Sequence, residues 1–354
     1  MSEHGKFIGF AGTYTKAGSE GVYTFTLDTK AKKIVEVKAV AKIENPTYLN
    51  ASKDNKHLYT VIKEGEKGGV AAFKIDPNTG QLKFVNRQLL DGAPPCYVSV
   101  NEDNTLVLSA NFHKGSVETY SVNEETGEIE YVASVVEHPH SDLKKGQKGK
   151  PHVHYADFTP GEKHVAVVDL GIDEIVTYEV EENKLKEVNS LSTSVGSGPR
   201  HLTFHPNGRY AYAMTEFSSE VLFLTYDESK GSFTQQQATL AIPADFTENN
   251  QGSAIHISSD GRFVYAGNRG HNSIATFKVD QDSGQLTFVE WTGTEGDWPR
   301  DFVLDPTEQF IVASNQETGN LVLFERDQES GKLTLLQSNV TVPEAVCVKF
   351  LHYK

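Results

Sequence analysis

Three arginines, Arg200, Arg269 and Arg300, recur beside variants of one short apolar phrase, together with the imidazoles His152, His154, His201 and His256 and the carboxylates Asp169 and Glu216. A guanidinium fork matches the oxygens of a carboxylate or phosphate, and it keeps its charge at any ordinary pH. An imidazole or a carboxylate can take a proton from water. The combination suits proton transfer on an anionic substrate whose developing charge meets fixed cations. No Gly-x-Ser-x-Gly elbow, His-Glu-x-x-His pair, P-loop or Gly-x-Gly-x-x-Gly turn occurs, so covalent serine or cysteine catalysis has little support.

These residues are carried by a repeat. One copy begins Pro199-Arg200-His201-Leu202-Thr203-Phe204, turns at Asn207-Gly208, and continues as Tyr210-Ala211-Tyr212-Ala213-Met214. Others begin at Pro46, Pro95, Pro151, Ser253, Pro299 and Pro343, a period of roughly 50 residues that marks a propeller blade. Each unit reads as four strands, with Asn-Gly or Asp-Gly hairpin turns between the first and second. A second turn recurs as Asp76 to Gly80, Asn123 to Gly127, Asp227 to Gly231, Asp280 to Gly284 and Asp327 to Gly331. Asp280-x-Asp282-x-Gly284 has a calcium-like look, but turn chemistry accounts for all the copies. Six units are complete, and the seventh is divided between Phe7–Leu27 and Pro343–Phe350. The expected fold is all-β: a seven-bladed propeller of four-stranded antiparallel blades in a single domain, 1–354, closed by its terminal strands.

Antiparallel pairing puts the start of a blade's innermost strand beside the end of its second strand. The starts read Tyr48, Cys96, His152, Arg200, His256 and Arg300. The ends read Lys63, Asn111, Asp169, Glu216, Arg269 and Asn315. All are expected around one mouth of the central channel, where a convergent polar set is the default site. Structural roles compete with this reading. Arg200 could brace a neighbouring blade, and Glu216 could simply pair with Arg200 or Arg269. His201, His205 and His256 could be channel-wall histidines. His152 and His154 alternate along a strand, but no nearby set completes a metal site around them.

The net charge of −15 over 354 residues argues against a nucleic-acid or anionic-membrane partner, though not against a local positive pocket. Met1–Lys6 lacks the features of a signal peptide, and no apolar run reaches transmembrane length. Cys96 and Cys347 fall in different repeats and read as buried free thiols. The expectation is a cytoplasmic protein, a monomer or weak homo-oligomer, with neither metal nor cofactor. The insertion Glu137–Lys150 carries His138, His140 and a lysine run from Lys144 to Lys150. That run reads as a solvated loop, with a cationic flap near an anion site as the alternative.

Gly12-Thr13-Tyr14-Thr15, Pro151-His152-Val153-His154, Gly198-Pro199-Arg200-His201, Thr215-Glu216, Gly267-Asn268-Arg269 and Pro299-Arg300-Asp301 together resemble the seven-bladed lactonase family. That family includes bacterial propeller-type 6-phosphogluconolactonases and fungal carboxymuconate lactonising enzymes. The resemblance covers essentially the whole chain. It implies a catalytic set of His152, Arg200, Arg269 and Glu216; our reading of the channel mouth adds Arg300, His154, His201, His256, Asn111 and Asn268 as substrate-binding residues. The implied reaction is hydrolysis of a small anionic sugar lactone, most naturally 6-phosphogluconolactone, with His152 or Glu216 as base. A muconate-type substrate, or a non-catalytic binding propeller, is the alternative that the residues alone leave open.

Overall fold

Apolar runs bounded by turn residues give seven four-stranded antiparallel sheets, described in a computed structural model over residues 5–140 and 149–353. Of the lysine run, positions 144–148 lie outside the described residues. Blades 1 to 6 span residues 49–91, 97–137, 153–192, 199–240, 251–293 and 299–341. Blade 7 has Ala345–Phe350 as its innermost strand and Lys6–Thr13, Gly21–Asp28 and Lys33–Lys42 outside it. The two ends of the chain thus close the ring through pairs such as Ala11 with Val348, as the split repeat predicts. Closure covers the edge of Lys6–Thr13 that would otherwise be left unpaired.

The recurring Asp/Asn turns hold their own backbone. The side chain of Asp280 accepts the amides of Asp282 and Ser283, and Asp327 does the same for Glu329 and Ser330. The closing glycines take positive φ, for example 78° at Gly284 and 74° at Gly331, as such turns require. They also tie blades together. Tyr212, fully buried in blade 4, donates to the Gly284 carbonyl of blade 5 at 2.8 Å. Tyr265 of blade 5 donates likewise to Gly331 of blade 6 at 2.8 Å. Apolar faces such as Val264, Ala266 and Phe277 pack beneath these ties.

One irregularity recurs where the innermost strand begins. The ladder shifts between Pro199 and His201, between Val153 and Tyr155, and between Pro299 and Asp301. A bulge of this kind re-aims the extra side chain. Here the extra residues are Arg200, His154 and Arg300.

Removing the hydroxyl that ties two blades should destabilise the ring without changing its shape. Tyr212→Phe is expected to lose about 1–3 kcal/mol, because the Gly284 carbonyl is left without its donor. Urea denaturation followed by circular dichroism measures this.

Candidate active site

The shared ladder register stacks the channel-facing residues in layers. Thr215, Asn268 and Asn315 occupy equivalent last positions of the second strand. The following residues form the rim, and they include Tyr14, Phe112, Glu216 and Arg269. Below the rim comes the bulge layer with Thr47, Cys96, His154, Arg200, Arg300 and Val346. Under that lie Tyr48, Tyr97, Tyr155 and His201. Their rings pack against one another, Tyr48 on Tyr97 at 4.2 Å and Tyr97 on Tyr155 at 4.9 Å between centroids, with His201 edge-on to Tyr97 at 5.3 Å. This aromatic plug forms the floor.

A cavity of about 280 Å³ stands above it, lined by the rim residues and by Thr47, Cys96, His154 and Arg300 of the bulge layer, together with Asn45, Pro94, Pro95 and His113. That is the small end of the range for ligand pockets. Near its base, a slot of about 10 Å³ runs between His154, Arg200 and Arg300, at the lower limit for one water. A cavity of about 310 Å³ opens at the opposite mouth, around Asn101, Glu102, Asp157, Phe158 and Glu162. It has no guanidinium in its lining, so the convergent cations distinguish the first cavity.

Glu216 lies between two arginines. Its Oε2 is 3.1 Å from Arg200 Nε and 3.0 Å from Arg269 Nη2. The contact with Arg200 is close enough for an ion pair but is not aligned as a hydrogen bond. The buried Nε atoms of both Arg200 and Arg269 are therefore left without a hydrogen-bond acceptor. Buried donors of this kind are costly unless a ligand completes them. Arg269 is further held by donating to the Gly252 carbonyl at 2.7 Å and by lying over the Trp298 ring. Burial, then the charge of Arg200, pulls the Arg269 guanidinium down to about 9, against the opposing pull of Glu216; it stays charged at neutral pH. Arg300 donates to the Tyr14 hydroxyl at 3.0 Å and lies over the Tyr14 ring.

The imidazole layer is neutral. Burial, then the charge of Arg200, holds both His154 and His201 well below the ordinary value. His201 Nε2 is 3.5 Å from Arg200 Nη1 and 3.1 Å from His154 Nδ1. A guanidinium only donates, so His201 Nε2 is assigned as the acceptor. His154 then carries its proton on Nδ1, which leaves the lone pair on Nε2. That is the form of a proton acceptor. Burial pushes the Cys96 thiol up to about 12, so it stays protonated beside the arginines and is a poor nucleophile.

The structure brings Arg200, Arg269, Arg300, Glu216, His154 and Cys96 to the cavity, with Tyr48 and His201 in the floor. It places others elsewhere. His152 does not line the cavity: Val153, not Pro151, pairs like Pro199 and Pro299, so His154 is the counterpart of Arg200. His152 instead stacks on Phe112 at 4.2 Å, and its Nδ1 reaches the Phe112 carbonyl at 2.8 Å. His256 pairs with Tyr265 as Thr203 pairs with Tyr212. It therefore lies deeper than the bulge layer, 3.6 Å from Asp301.

Asn111 and Asn268 precede the rim by one residue. Their amides donate to the Ala93 and Ala241 carbonyls at 2.8 and 2.9 Å, and Asn315 does the same to Thr294. They brace loops and do not face a ligand. Asp169 accepts the amides of His152 and Gly171 and the His138 ring. Lys63 pairs with Glu44. Tyr14, Phe112 and His113 are cavity residues missed in the sequence. The equivalence of Gly12-Thr13-Tyr14 with Thr215-Glu216 was the signal for Tyr14.

The brace reading is checked by Asn268→Ala. It should destabilise the fold by about 1 kcal/mol, from the lost Asn268 hydrogen bonds, since the Ala241 carbonyl keeps Trp291 Nε1 as a donor. Inorganic phosphate should raise the melting temperature of this variant and of the parent alike. Differential scanning fluorimetry reads both.

Comparison with known proteins agrees with this fold. The family model described as lactonase, seven-bladed β-propeller, matches residues 8–350. A Bacillus subtilis protein named 6-phosphogluconolactonase is 55% identical over 98% of this chain and 99% of its own. Among solved structures, a protein of Lactobacillus plantarum superposes with a TM-score of 0.93 at 44% identity, over 98% of this chain and 100% of its own. A periplasmic gluconolactonase of Pseudomonas aeruginosa superposes with a TM-score of 0.90 at 32% identity, over 98% of this chain and 99% of its own.

Proposed function

The chain belongs to the lactonase family of seven-bladed β-propellers, and on that premise we propose that it hydrolyses 6-phosphogluconolactone to 6-phosphogluconate. It is a lactonase, as its near-full-length identity to the Bacillus subtilis enzyme supports. The phosphorylated substrate is our reading of the site. The observation that carries it is the convergence of Arg269, Arg300 and a neutral imidazole on one cavity of about 280 Å³, with Arg200 joining them at the slot near its base.

In this reading the lactone carbonyl lies in the bulge layer. Water beside His154 gives a proton to Nε2 as its oxygen attacks the carbonyl carbon. The carbonyl electron pair moves onto oxygen, where Arg200 and Arg300 meet the charge. When the intermediate collapses, the ring C–O bond breaks. The departing oxygen takes the proton from His154 and becomes the hydroxyl of the sugar acid. The new carboxylic acid then releases its proton to solvent. Glu216 holds Arg200 and Arg269 in place before substrate arrives, so little reorganisation accompanies the reaction. No step requires a metal. The two free thiols, Cys96 and Cys347, agree with the cytoplasm as the proposed location.

Metal-stripped protein assayed on freshly made 6-phosphogluconolactone tests the reading directly, and a rate no faster than spontaneous hydrolysis would refute it. His154→Ala should lower kcat by about 10²–10⁴-fold, the usual contribution of a general base. Arg200→Ala should lower it by about 10²–10³-fold, that of one oxyanion donor. His152→Ala, outside the cavity, should cost much less than either.

The pH profile follows from the same assignment. His154 must be neutral to accept a proton, and its value lies well below 6.5. Activity should therefore hold as pH falls through 6.5 and drop only at distinctly lower pH. A profile of kcat/KM with its acid limb at or above 6.5 would point to another base.

A further inference from the structure

We propose that Lys16 and His113, with Lys150 beside them, form a phosphate-recognition rim that sets the preference for a phosphorylated lactone over its unphosphorylated analogue. This rests on the lactone-hydrolysis reading above and adds the residues that choose the substrate.

The cavity has two unlike halves. Blades 3 to 6 supply His154, Arg200, Glu216, Arg269 and Arg300. The opposite wall comes from blades 7, 1 and 2 and the loops between them, and it includes Tyr14, Asn45, Thr47, Cys96, Phe112 and His113. That wall contains no carboxylate. Lys16 is fixed above it by a cation–π contact, its Nζ 4.4 Å from the centre of the Tyr14 ring. Tyr14 lines the cavity and is itself bonded to Arg300, so this contact sets the exposed ammonium beside the cavity's edge. The two Glu344 oxygens accept the backbone amides of Lys16 and Ala17, which anchors the loop. Among the described residues, neither Lys16 nor Lys150 has an ion-pair partner.

His113 reports the field at this rim. Burial, then His152, Lys150 and Lys16, holds it below its ordinary value, and no carboxylate is among the charges acting on it. In a chain of net charge −15, ammonium groups without a direct ion-pair partner beside one cavity are a focused feature that draws anions. A phosphate would satisfy the lysines directly through charge-assisted hydrogen bonds. It would also favour protonation of His113, adding a further donor.

The depth of the cavity suits a phosphorylated six-carbon lactone. Rim and bulge layer are one to two residues apart along the strands, roughly 3–7 Å at the usual rise. A six-carbon sugar lactone has its carbonyl at one end and its phosphate at the other. With the carbonyl among His154, Arg200 and Arg300, the phosphate reaches the rim on the opposite wall.

The experiment compares kcat/KM for 6-phosphogluconolactone with that for glucono-1,5-lactone in the parent protein, in Lys16→Ala and His113→Gln, and in Lys114→Ala. Lys114 is the control: it follows His113 in sequence, but its Nζ donates to the Asp91 carbonyl on the neighbouring loop. The ratio of the two kcat/KM values should fall about tenfold in each rim variant, the loss of one charge-assisted hydrogen bond. The loss should appear in KM for the phosphorylated substrate, and Lys16→Arg should restore it. Lys114→Ala should leave the ratio where it was. An unchanged ratio in the rim variants, or an equal fall in Lys114→Ala, overturns the proposal. A parent protein that hydrolyses neither lactone fails the underlying reading instead. One that hydrolyses only glucono-1,5-lactone overturns the rim as a phosphate site while preserving the lactonase.

Discussion

The site depends on a repeated bulge at the start of the innermost strand. A regular strand would alternate its side chains between channel and blade interior, and only one residue in two would face the channel. The shift after Val153, Pro199 and Pro299 lets His154, Arg200 and Arg300 face it directly above Tyr155, His201 and Asp301. Two consecutive residues of each strand therefore serve the same cavity. Blade 5 shows the constraint from the other side. Its bulge residue is Ser253, whose hydroxyl donates to the Pro299 carbonyl, and the guanidinium is supplied from the rim by Arg269. Gly252 makes room for this arrangement, since a Cβ there would lie 2.1 Å from the Thr215 carbonyl oxygen.

The same bulge explains what could be read in the sequence. Period, turn chemistry and the split seventh blade were all legible, because they depend on spacing and on local backbone preferences. Arg200, Arg269, Arg300 and Glu216 were legible for the same reason: their copies align by proline, glycine and turn. His152 was aligned with Arg200 through the preceding proline, yet the strand of blade 3 begins two residues later. A two-residue slip preserves the inside–outside pattern, so periodicity could not detect it, and only the ladder shows that His154 stands at the cavity. Asn111 and Asn268 suffered the opposite ambiguity. The last residue of a strand and the residue after it look alike in sequence, but one bonds a loop carbonyl and the other faces the channel. Phe112 follows Asn111 as Arg269 follows Asn268, so its position was legible although its apolar side chain drew no notice, whereas His113, one residue further into the loop, gave no signal.

Rigidity beneath the site comes from groups that never touch the cavity. Tyr212 and Tyr265 tie adjacent blades through glycine carbonyls, and the asparagine braces fix the loops on which the rim sits. Below the bulge layer, Tyr48, Tyr97 and Tyr155 block the channel, with Tyr48 accepting from Lys349 at 3.0 Å. A plugged channel closes the cavity at its base and keeps bulk water from the imidazole layer. The low local dielectric that results strengthens each guanidinium's interaction with an anion and also holds His154 neutral.

These two effects must be balanced, and Glu216 is the group that balances them. Arg200 is 2% exposed and Arg269 is 5% exposed, and two buried like charges with no counterion would be strongly unfavourable. One carboxylate between them neutralises half of that charge. A second carboxylate would complete the neutralisation and leave nothing to attract substrate. The remaining deficit is visible in the unpaired Nε atoms of both arginines and in the depressed imidazoles beneath them. The folded chain therefore carries an unsatisfied demand for negative charge at the place where hydrolysis of a lactone creates it, first as an oxyanion and then as a carboxylate. The product carboxylate meets that demand as well as the intermediate does. Release must then be helped by competition from water at the open rim, which is why the cavity is sealed at the floor and not at the mouth.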